Sequence, residues 1–170
     1  MTAHLEGVAF GNCQFGPGVG VDHDRLTLHL TNRVTEIPRS AELVGAFCER
    51  HHVASTVRFA INVSLEELLA NTMSYGYADD GDHEIIVQIW REDPDLVIDI
   101  ADDGRPFDPT QVAPPDLESP LDTRPVGGLG IHLVRNMMDR VEYRRDGQRN
   151  RVRLRKRMTP PQSRGYAPAD

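Results

Sequence analysis

Apolar residues alternate with polar ones in five stretches of the chain, and this spacing predicts strands with one buried face. The stretches lie at residues 25–31, 83–90, 96–101, 141–143 and 151–157. Turn residues at 91–95 join the second stretch to the third, so we expect this pair to form an antiparallel hairpin.

Three other stretches carry apolar residues three and four positions apart, which is the spacing of amphipathic helices. The first runs from Pro38 to about His51. The second begins at Ser55, a residue suited to be its N-cap, and ends before the turn residues of 78–82. The third follows the glycines at 127–130. Strands and helices together predict a single domain with a sizeable core.

The segments around these elements predict the domain boundaries. Residues 1–24 are rich in glycine and lack periodicity, so we expect a flexible N-terminal arm before a domain at 25–158. Residues 105–126 are rich in proline and aspartate and are too many for an ordinary connection, which indicates a functional lid or a disordered loop. The proline-containing residues 159–170 predict a disordered tail.

Charge, cysteine content and the lack of long apolar runs narrow the possible partners and cellular compartments of the protein. The 170 residues carry a formal net charge of -7, which argues against nucleic acid because such binding needs basic surface. Cys13 and Cys48 are too few for a disulfide framework, and the sequence shows neither a signal peptide nor an apolar run of about 18 residues. We therefore expect a cytoplasmic protein with no membrane partner.

Arginine residues alternate with apolar ones in the last predicted strand, at Arg151, Arg153, Arg155 and Arg157. Such a pattern is typical of the solvated face of a sheet. It also suits a contact surface for an acidic partner protein. Both interpretations stay open at the level of the sequence.

Glu67 and Asn71 lie four residues apart in the second predicted helix, so their side chains are neighbours on one face. A carboxylate beside an amide oxygen suits a water molecule and a hard cation. Glu66 lies off that face. The same spacing also occurs on ordinary solvated helices, so the pair depends on other motifs for its meaning.

Two later motifs suit a bound nucleotide. Asp102 ends a predicted strand, and its carboxylate can accept from an exocyclic amine, while Gly104 lets a flat ring approach the backbone. Gly127, Gly128 and Gly130 open a helix whose free N–H groups suit phosphate oxygens. Taken singly, the first motif is also a turn and the second also a hinge, and no Walker A sequence is present.

The order of these motifs over residues 25–157 resembles the GHKL (Bergerat-fold) ATP-binding superfamily, and within it the small anti-sigma-factor serine/threonine kinases of bacterial partner-switching systems. The resemblance is carried by Glu67 to Asn71 with Tyr75-Gly76-Tyr77, by Asp102 to Pro109, and by Gly127 to Arg135. It implies a two-layer α/β sandwich with a mixed, mostly antiparallel sheet and helices on one face. The nucleotide would lie between the helices and the lid.

The resemblance implies that Glu67 is the general base for the attacking hydroxyl and that Asn71 coordinates Mg²⁺ at the phosphates. Asp102 would hydrogen-bond the adenine amine of ATP or ADP, and Gly104 would give the ring room.

The glycine motif and the lid would complete the site. The resemblance implies that Gly128, Leu129 and Gly130 offer backbone N–H groups to the phosphates. Arg124 or Arg105 in the lid would neutralise charge at the γ-phosphate.

Four positions depart from the pattern of the superfamily. Pro106 stands where many members have a second glycine, and Tyr75 stands where histidine is common. No threonine is present near Asn150, where relatives tend to have one that helps to hold the adenine. Val126, and not arginine, precedes the glycines, so a γ-phosphate contact is lost or moves to Arg124.

Two functions are compatible with these motifs. The first is a serine/threonine kinase that phosphorylates a STAS-type anti-sigma-factor antagonist and also binds a sigma factor; relatives are often homodimers. The second is a nucleotide-dependent partner switch without kinase activity, which the missing arginine and threonine favour. A sensor histidine kinase is disfavoured because nothing before Arg25 resembles a phosphoacceptor helix.

Overall fold

The computed structural model describes residues 18–22, 24–113 and 129–159 of the chain. These residues form six strands and three helices. In chain order the elements are β1 (Val19–Asp22), β2 (Arg25–Thr31), α1 (Glu36–Arg50), α2 (Ser55–Tyr75), β3 (Glu84–Glu92), β4 (Asp95–Asp102), α3 (Leu129–Met137), β5 (Arg140–Asp146) and β6 (Arg149–Arg157).

All six strands belong to one sheet in the order β1-β2-β3-β4-β6-β5, and every neighbouring pair is antiparallel. The predicted hairpin of β3 and β4 is confirmed, with Ile89 opposite Ile98. A mixed sheet was expected to include at least one parallel pair of strands. The described strands contain none, since every neighbouring pair is antiparallel.

The three helices pack on one face of this sheet. Their buried residues, among them Val44, Ile61 and Val134, form one cluster with the inward-facing residues of the strands, such as Leu28 and Ile100. The predicted α/β sandwich with helices on one face is thereby confirmed. Among the described helices, none combines the length and the apolar character that crossing a membrane requires.

The second face of the sheet is covered by its own side chains. Asp99, 2% exposed, accepts hydrogen bonds from Arg151 and Arg153 at 2.7–3.0 Å. The guanidinium groups of Arg25 and Arg153 lie over the Trp90 ring, 4.7 and 5.4 Å from its centroid. Two of the alternating arginines therefore pair with a buried carboxylate, so this face is not simply solvated.

Two local predictions are wrong. The arm predicted at 1–24 contains the strand β1, which pairs with β2 and packs Val19 against the core. Ala54, and not Ser55, is the N-cap residue of α2, because Ala54 has an extended ψ of 142° whereas Ser55 is already helical. The predicted lid beyond residue 113 and the tail from residue 160 lie outside the described residues.

Candidate functional site

A cavity of about 340 Å³ opens between the C-terminal half of α2 and the ends of β4 and β6. Its volume suits a small molecule. The lining residues are Leu68, Asn71, Thr72, Tyr75 and Gly76 from the helix side, Ile100, Asp102, Asn150 and Val152 from the sheet, and Arg105, Pro106 and Phe107 from the segment after β4.

The register of the sheet places two polar side chains at the floor of the cavity. Asp102 is the last residue of β4 and lies opposite Asn150, the second residue of β6. Both are buried, at 5% and 4% exposure. The Asn150 amide donates from Nδ2 to Asp102 Oδ1 at 2.8 Å.

The Asn150 side chain also joins the sheet to the segment that follows β4. Its Nδ2 donates to the Arg105 carbonyl at 2.9 Å, and a longer contact of 3.4 Å reaches the Gly104 carbonyl. Its Oδ1 accepts from the Tyr143 hydroxyl at 2.9 Å and from Arg145 Nη1 at 2.8 Å. Every polar atom of this buried amide is therefore satisfied.

Asp102 carries a carboxylate into this buried position. Burial raises the pKa of Asp102 above its ordinary value of 3.8, while the hydrogen bonds from Asn150 and the Gly104 N–H act in the opposite direction. Among the described residues, the hydrogen bonds to this carboxylate all end on Oδ1. Oδ2 therefore keeps its capacity to accept from a ligand.

Gly104 occupies a place that no larger residue fits. A Cβ at this position would lie 2.8 Å from Asp102 Oδ1 and 2.8 Å from the Gly76 carbonyl oxygen. The next residue, Arg105, donates its N–H to that same carbonyl at 2.7 Å. The predicted reason for this glycine, close approach, thus involves the end of α2 as well as any bound ring.

Glu67 lies one helical turn before Asn71 on α2, but it does not line the cavity. Its carboxylate lies against the backbone of Gly130 in α3, where an added Cβ would overlap it. The structure therefore brings Asn71 and Asp102 into one cavity and places Glu67 beside Gly130. Leu129, at the start of α3, is 57% exposed, and the predicted residues Gly128 and Arg124 lie outside the described part of the chain.

A comparison of the sequence with known protein families identifies the family of this chain. Residues 30–156 match the profile of the histidine kinase-like ATPase domain. The chain belongs to this family.

Relatives in the histidine kinase-like ATPase family include named protein kinases. Serine/threonine-protein kinase BtrW of Bordetella bronchiseptica is 29% identical over 122 residues, which are 71% of this chain and 86% of that protein. Serine-protein kinase RsbW of Bacillus cereus is 28% identical over 123 residues, covering 65% of this chain and 76% of the relative. These relatives confirm the predicted resemblance to the serine/threonine-kinase branch.

A solved structure with a similar fold contains the RsbU and RsbW domains of Rv1364c from Mycobacterium tuberculosis. It superposes with a TM-score of 0.57 at 13% identity over 79% of this chain. The chain spans 33% of that longer protein. This likeness confirms the fold.

A second polar cluster includes Asp103, the residue that follows Asp102 in the chain. His83 contacts Asp79 Oδ1 through Nε2 at 3.1 Å and Asp103 Oδ1 through Nδ1 at 3.2 Å, and its ring stacks on Tyr77 with centroids 4.2 Å apart. Hydrogen bonds to the two carboxylates raise the pKa of His83 above its ordinary value of 6.5. Burial and the nearby Asp102 and Asp103 charges raise the pKa of Tyr77.

The described residues offer few groups that could hold a metal ion. The described residues contain no cluster of three or more His, Cys, Asp or Glu side chains that could hold a metal ion. Asn71 nevertheless places an amide oxygen at the cavity wall, and such an oxygen suits Mg²⁺, which is held by few protein groups together with waters and phosphates.

Sequence reasoning missed the residues that hold Asp102 in place. Tyr143, Arg145 and Asn150 were not among the predicted site residues, although the missing threonine near Asn150 was noted. A usable signal exists, because Val152 and Leu154 face the core and position 150 shares their face. A buried amide at an apolar position of the alternation indicates a polar network.

Proposed function

We propose that this chain is an ATP-dependent serine/threonine kinase that phosphorylates an anti-sigma-factor antagonist. The observation that carries the proposal is that Asn71 and Asp102, far apart in sequence, share one cavity in a histidine kinase-like ATPase domain. The kinase names of the relatives support the same activity.

The adenine base would lie at the floor of the cavity. Oδ2 of Asp102, which takes no hydrogen bond from the described residues, would accept from the exocyclic amine. The apolar side chains of Leu68, Ile100 and Val152 would contact the ring. This arrangement favours ATP and ADP over nucleotides whose base presents a carbonyl at the same place.

The phosphates would extend toward α2 and α3. Asn71 would offer an oxygen to Mg²⁺, which when bound neutralises charge on the phosphates. The proposal keeps the predicted phosphate contacts at Gly128, Leu129 and Gly130, and the lid arginines Arg124 or Arg105 near the γ-phosphate.

Glu67 would act as the general base. The hydroxyl oxygen of the antagonist's serine or threonine attacks the γ-phosphorus, the bond from this phosphorus to the β,γ-bridging oxygen breaks, and ADP leaves. The hydroxyl proton passes to the Glu67 carboxylate. Gly130 admits this carboxylate because a glycine leaves space where any side chain would overlap it.

The partners follow from the same proposal. A STAS-type antagonist would be the phosphoryl acceptor, and a sigma factor would be bound when the antagonist is phosphorylated. A homodimer in the cytoplasm is the proposed assembly.

Labelled phosphate transfer tests the kinase. The protein is incubated with Mg²⁺, ATP labelled at the γ-phosphate and purified STAS-domain antagonists from the same organism, and the product is mapped by mass spectrometry. The proposal predicts one phosphoserine or phosphothreonine, absent with labelled ADP and lost in Asn71→Ala. Tight ATP binding without transfer to any antagonist would contradict it.

That second outcome defines the alternative, a nucleotide-dependent partner switch without kinase activity. It is favoured by Val126, which precedes the glycines where the superfamily pattern implies an arginine, and by the absence of a threonine near Asn150. This alternative predicts that ATP changes the affinity for the partner protein while the partner's mass stays unchanged.

A further inference from the structure

Asn150 is held in one orientation by a residue that can only donate. Arg145 Nη1 lies 2.8 Å from one end of the Asn150 amide, and a guanidinium has no acceptor, so that end must be the carbonyl oxygen Oδ1. Tyr143 donates its hydroxyl to the same oxygen at 2.9 Å. The amide nitrogen of Asn150 therefore faces Asp102.

This orientation determines how the Asp102 carboxylate is turned. Asn150 Nδ2 and the Gly104 N–H both donate to Oδ1 at 2.8 Å. Two donors on one oxygen fix the rotation of the carboxylate. Among the described residues Oδ2 takes no hydrogen bond, so in the ionised form it can accept from a ligand in the cavity that Asp102 lines.

The same amide also forms a hydrogen bond with Arg105, the first residue of the predicted lid. The second hydrogen on Asn150 Nδ2 reaches the Arg105 carbonyl at 2.9 Å, and Arg145 donates to the Gly104 carbonyl at 2.9 Å. A threonine hydroxyl has one hydrogen to donate, so it could not serve Asp102 and Arg105 together.

We propose that Asn150, oriented by Arg145 and Tyr143, is a positioning residue that turns Asp102 to select bases with an exocyclic amine. The inference rests on the proposed function, because it assumes that the base of ATP reaches Asp102. It adds a chain of three residues, from Arg145 through Asn150 to Asp102, that controls which purine is bound.

A comparison of two nucleotides tests this chain. ATP and purine riboside triphosphate differ in the exocyclic amine, so the ratio of their dissociation constants, measured by isothermal titration, reports the contact with Asp102. The wild type should prefer ATP by about tenfold or more, since a hydrogen bond to a charged group contributes on that scale. Asn150→Ala should reduce the ratio to within about threefold of unity.

The ratio separates positioning from damage to the fold. A structural defect weakens both nucleotides equally and leaves their ratio unchanged, whereas loss of orientation weakens ATP selectively. Gln148→Ala, at an exposed residue of the same hairpin, is the matched control and should keep the wild-type ratio.

Arg145→Met provides a second variant if Asn150→Ala does not fold. Arg145 is exposed as a whole residue, so its replacement should spare the core while allowing the Asn150 amide to turn. The ratio should again fall toward unity. Tyr143→Phe removes a single hydroxyl and should lower the ratio less.

The outcomes distinguish the two proposals. A wild type that prefers ATP, with variants that keep the preference, overturns the role of Asn150 and leaves the proposed function standing. A wild type that binds both nucleotides equally overturns the base contact at Asp102 and the role of Asn150, while phosphoryl transfer still decides the proposed kinase function. A wild type that binds neither nucleotide overturns both proposals.

Discussion

At the sheet end of the cavity, Asp102 and Asn150 are buried and linked by hydrogen bonds to each other, to Tyr143 and to Arg145. At the helix end, the half-buried Asn71 lies on the cavity wall and the Glu67 carboxylate lies against the Gly130 backbone. The first end is organised by the protein itself. The second presents oxygen atoms whose partners would come with the nucleotide.

This difference indicates that the two ends of the cavity contribute to different properties, nucleotide selectivity and phosphoryl transfer. Preorganised hydrogen bonds in a buried site discriminate strongly, because a ligand without the matching group leaves a polar atom unsatisfied. Phosphoryl transfer instead needs groups that act when substrate, metal and acceptor meet. We therefore expect substitutions at the sheet end to change which nucleotide binds, and substitutions at the helix end to change turnover.

The largest expected effect is at the helix end. Glu67→Gln should lower the rate of phosphoryl transfer by about 10²- to 10⁴-fold, because the amide cannot take the hydroxyl proton. ATP affinity should change little, since Glu67 lies outside the cavity lining. Single-turnover transfer and titration with ATP measure the two quantities.

Glu66→Gln is the matched control for this prediction. Glu66 is the exposed neighbour of Glu67 and carries the same charge, so the variant should keep the wild-type rate. Equal losses in both variants would assign the effect to net charge and not to a general base.

The next largest effect concerns the sheet end. In Asp102→Asn, the side-chain oxygen should remain with its two donors, Asn150 and the Gly104 N–H, and the new amide would point into the cavity. The site would then offer a donor where it offered an acceptor. The preference should turn from ATP toward inosine triphosphate, with ATP affinity lower by about 10- to 100-fold.

Asp102→Ala is the control for that reversal, because it removes the acceptor without adding a donor. It should weaken ATP without favouring inosine triphosphate. Retention of the ATP preference in Asp102→Asn would mean that the base is recognised elsewhere.

A smaller effect is expected from pH. Burial raises the pKa of Asp102, with Asp103 adding to the rise and Asn150, Gly104 and Arg145 opposing it. The ionised form accepts from the amine and the protonated form does not, so the preference for ATP over purine riboside triphosphate should be full above this raised pKa. This preference should decline as the pH falls through the raised pKa of Asp102, and therefore at a higher pH than for an aspartate with an ordinary pKa.

Titrations of both nucleotides from about pH 8 down to the ordinary aspartate pKa of about 4 would follow this decline. An unchanged ratio over the whole range would separate Asp102 from the base contact.

The placement of Glu67 and Asn71 on one helix, and of Asp102 at the end of a strand, was predictable from the sequence, whereas the residues that bind Asp102 were not. Helical periodicity places Glu67 and Asn71 on one face, and a strand followed by Gly104 marks Asp102, so short-range pattern suffices for these residues. Asn150 meets Asp102 through strand pairing across 48 positions. The alternation around Val152 marks Asn150 as a buried amide, but its pairing with Asp102 depends on the long-range register of the whole sheet.

The strand elements show the same limit. The predicted hairpin of β3 and β4 agrees with the structure because alternation and turn residues are both local. Strand β1 was missed because its four residues, Val19–Asp22, are too few to show alternation and include a glycine. Its pairing with β2 is what makes it a strand.

The smallest expected effect lies behind the sheet end, at His83. His83→Gln should weaken ATP by less than about fivefold, because exposed ion pairs contribute little and the ring only supports the Asp102–Asp103 segment. The pKa of His83 is raised by Asp79 and Asp103, so its contribution to stability is full below the ordinary value of 6.5 and is lost as the pH rises through the raised value. The thermal midpoint of the variant should therefore depend less on pH in this window than that of the wild type.

His29→Gln is the control for the effect on ATP, because it breaks an exposed contact with Glu84 at 2.8 Å. A similar effect on ATP in both variants would show that His83 has no special link to the cavity.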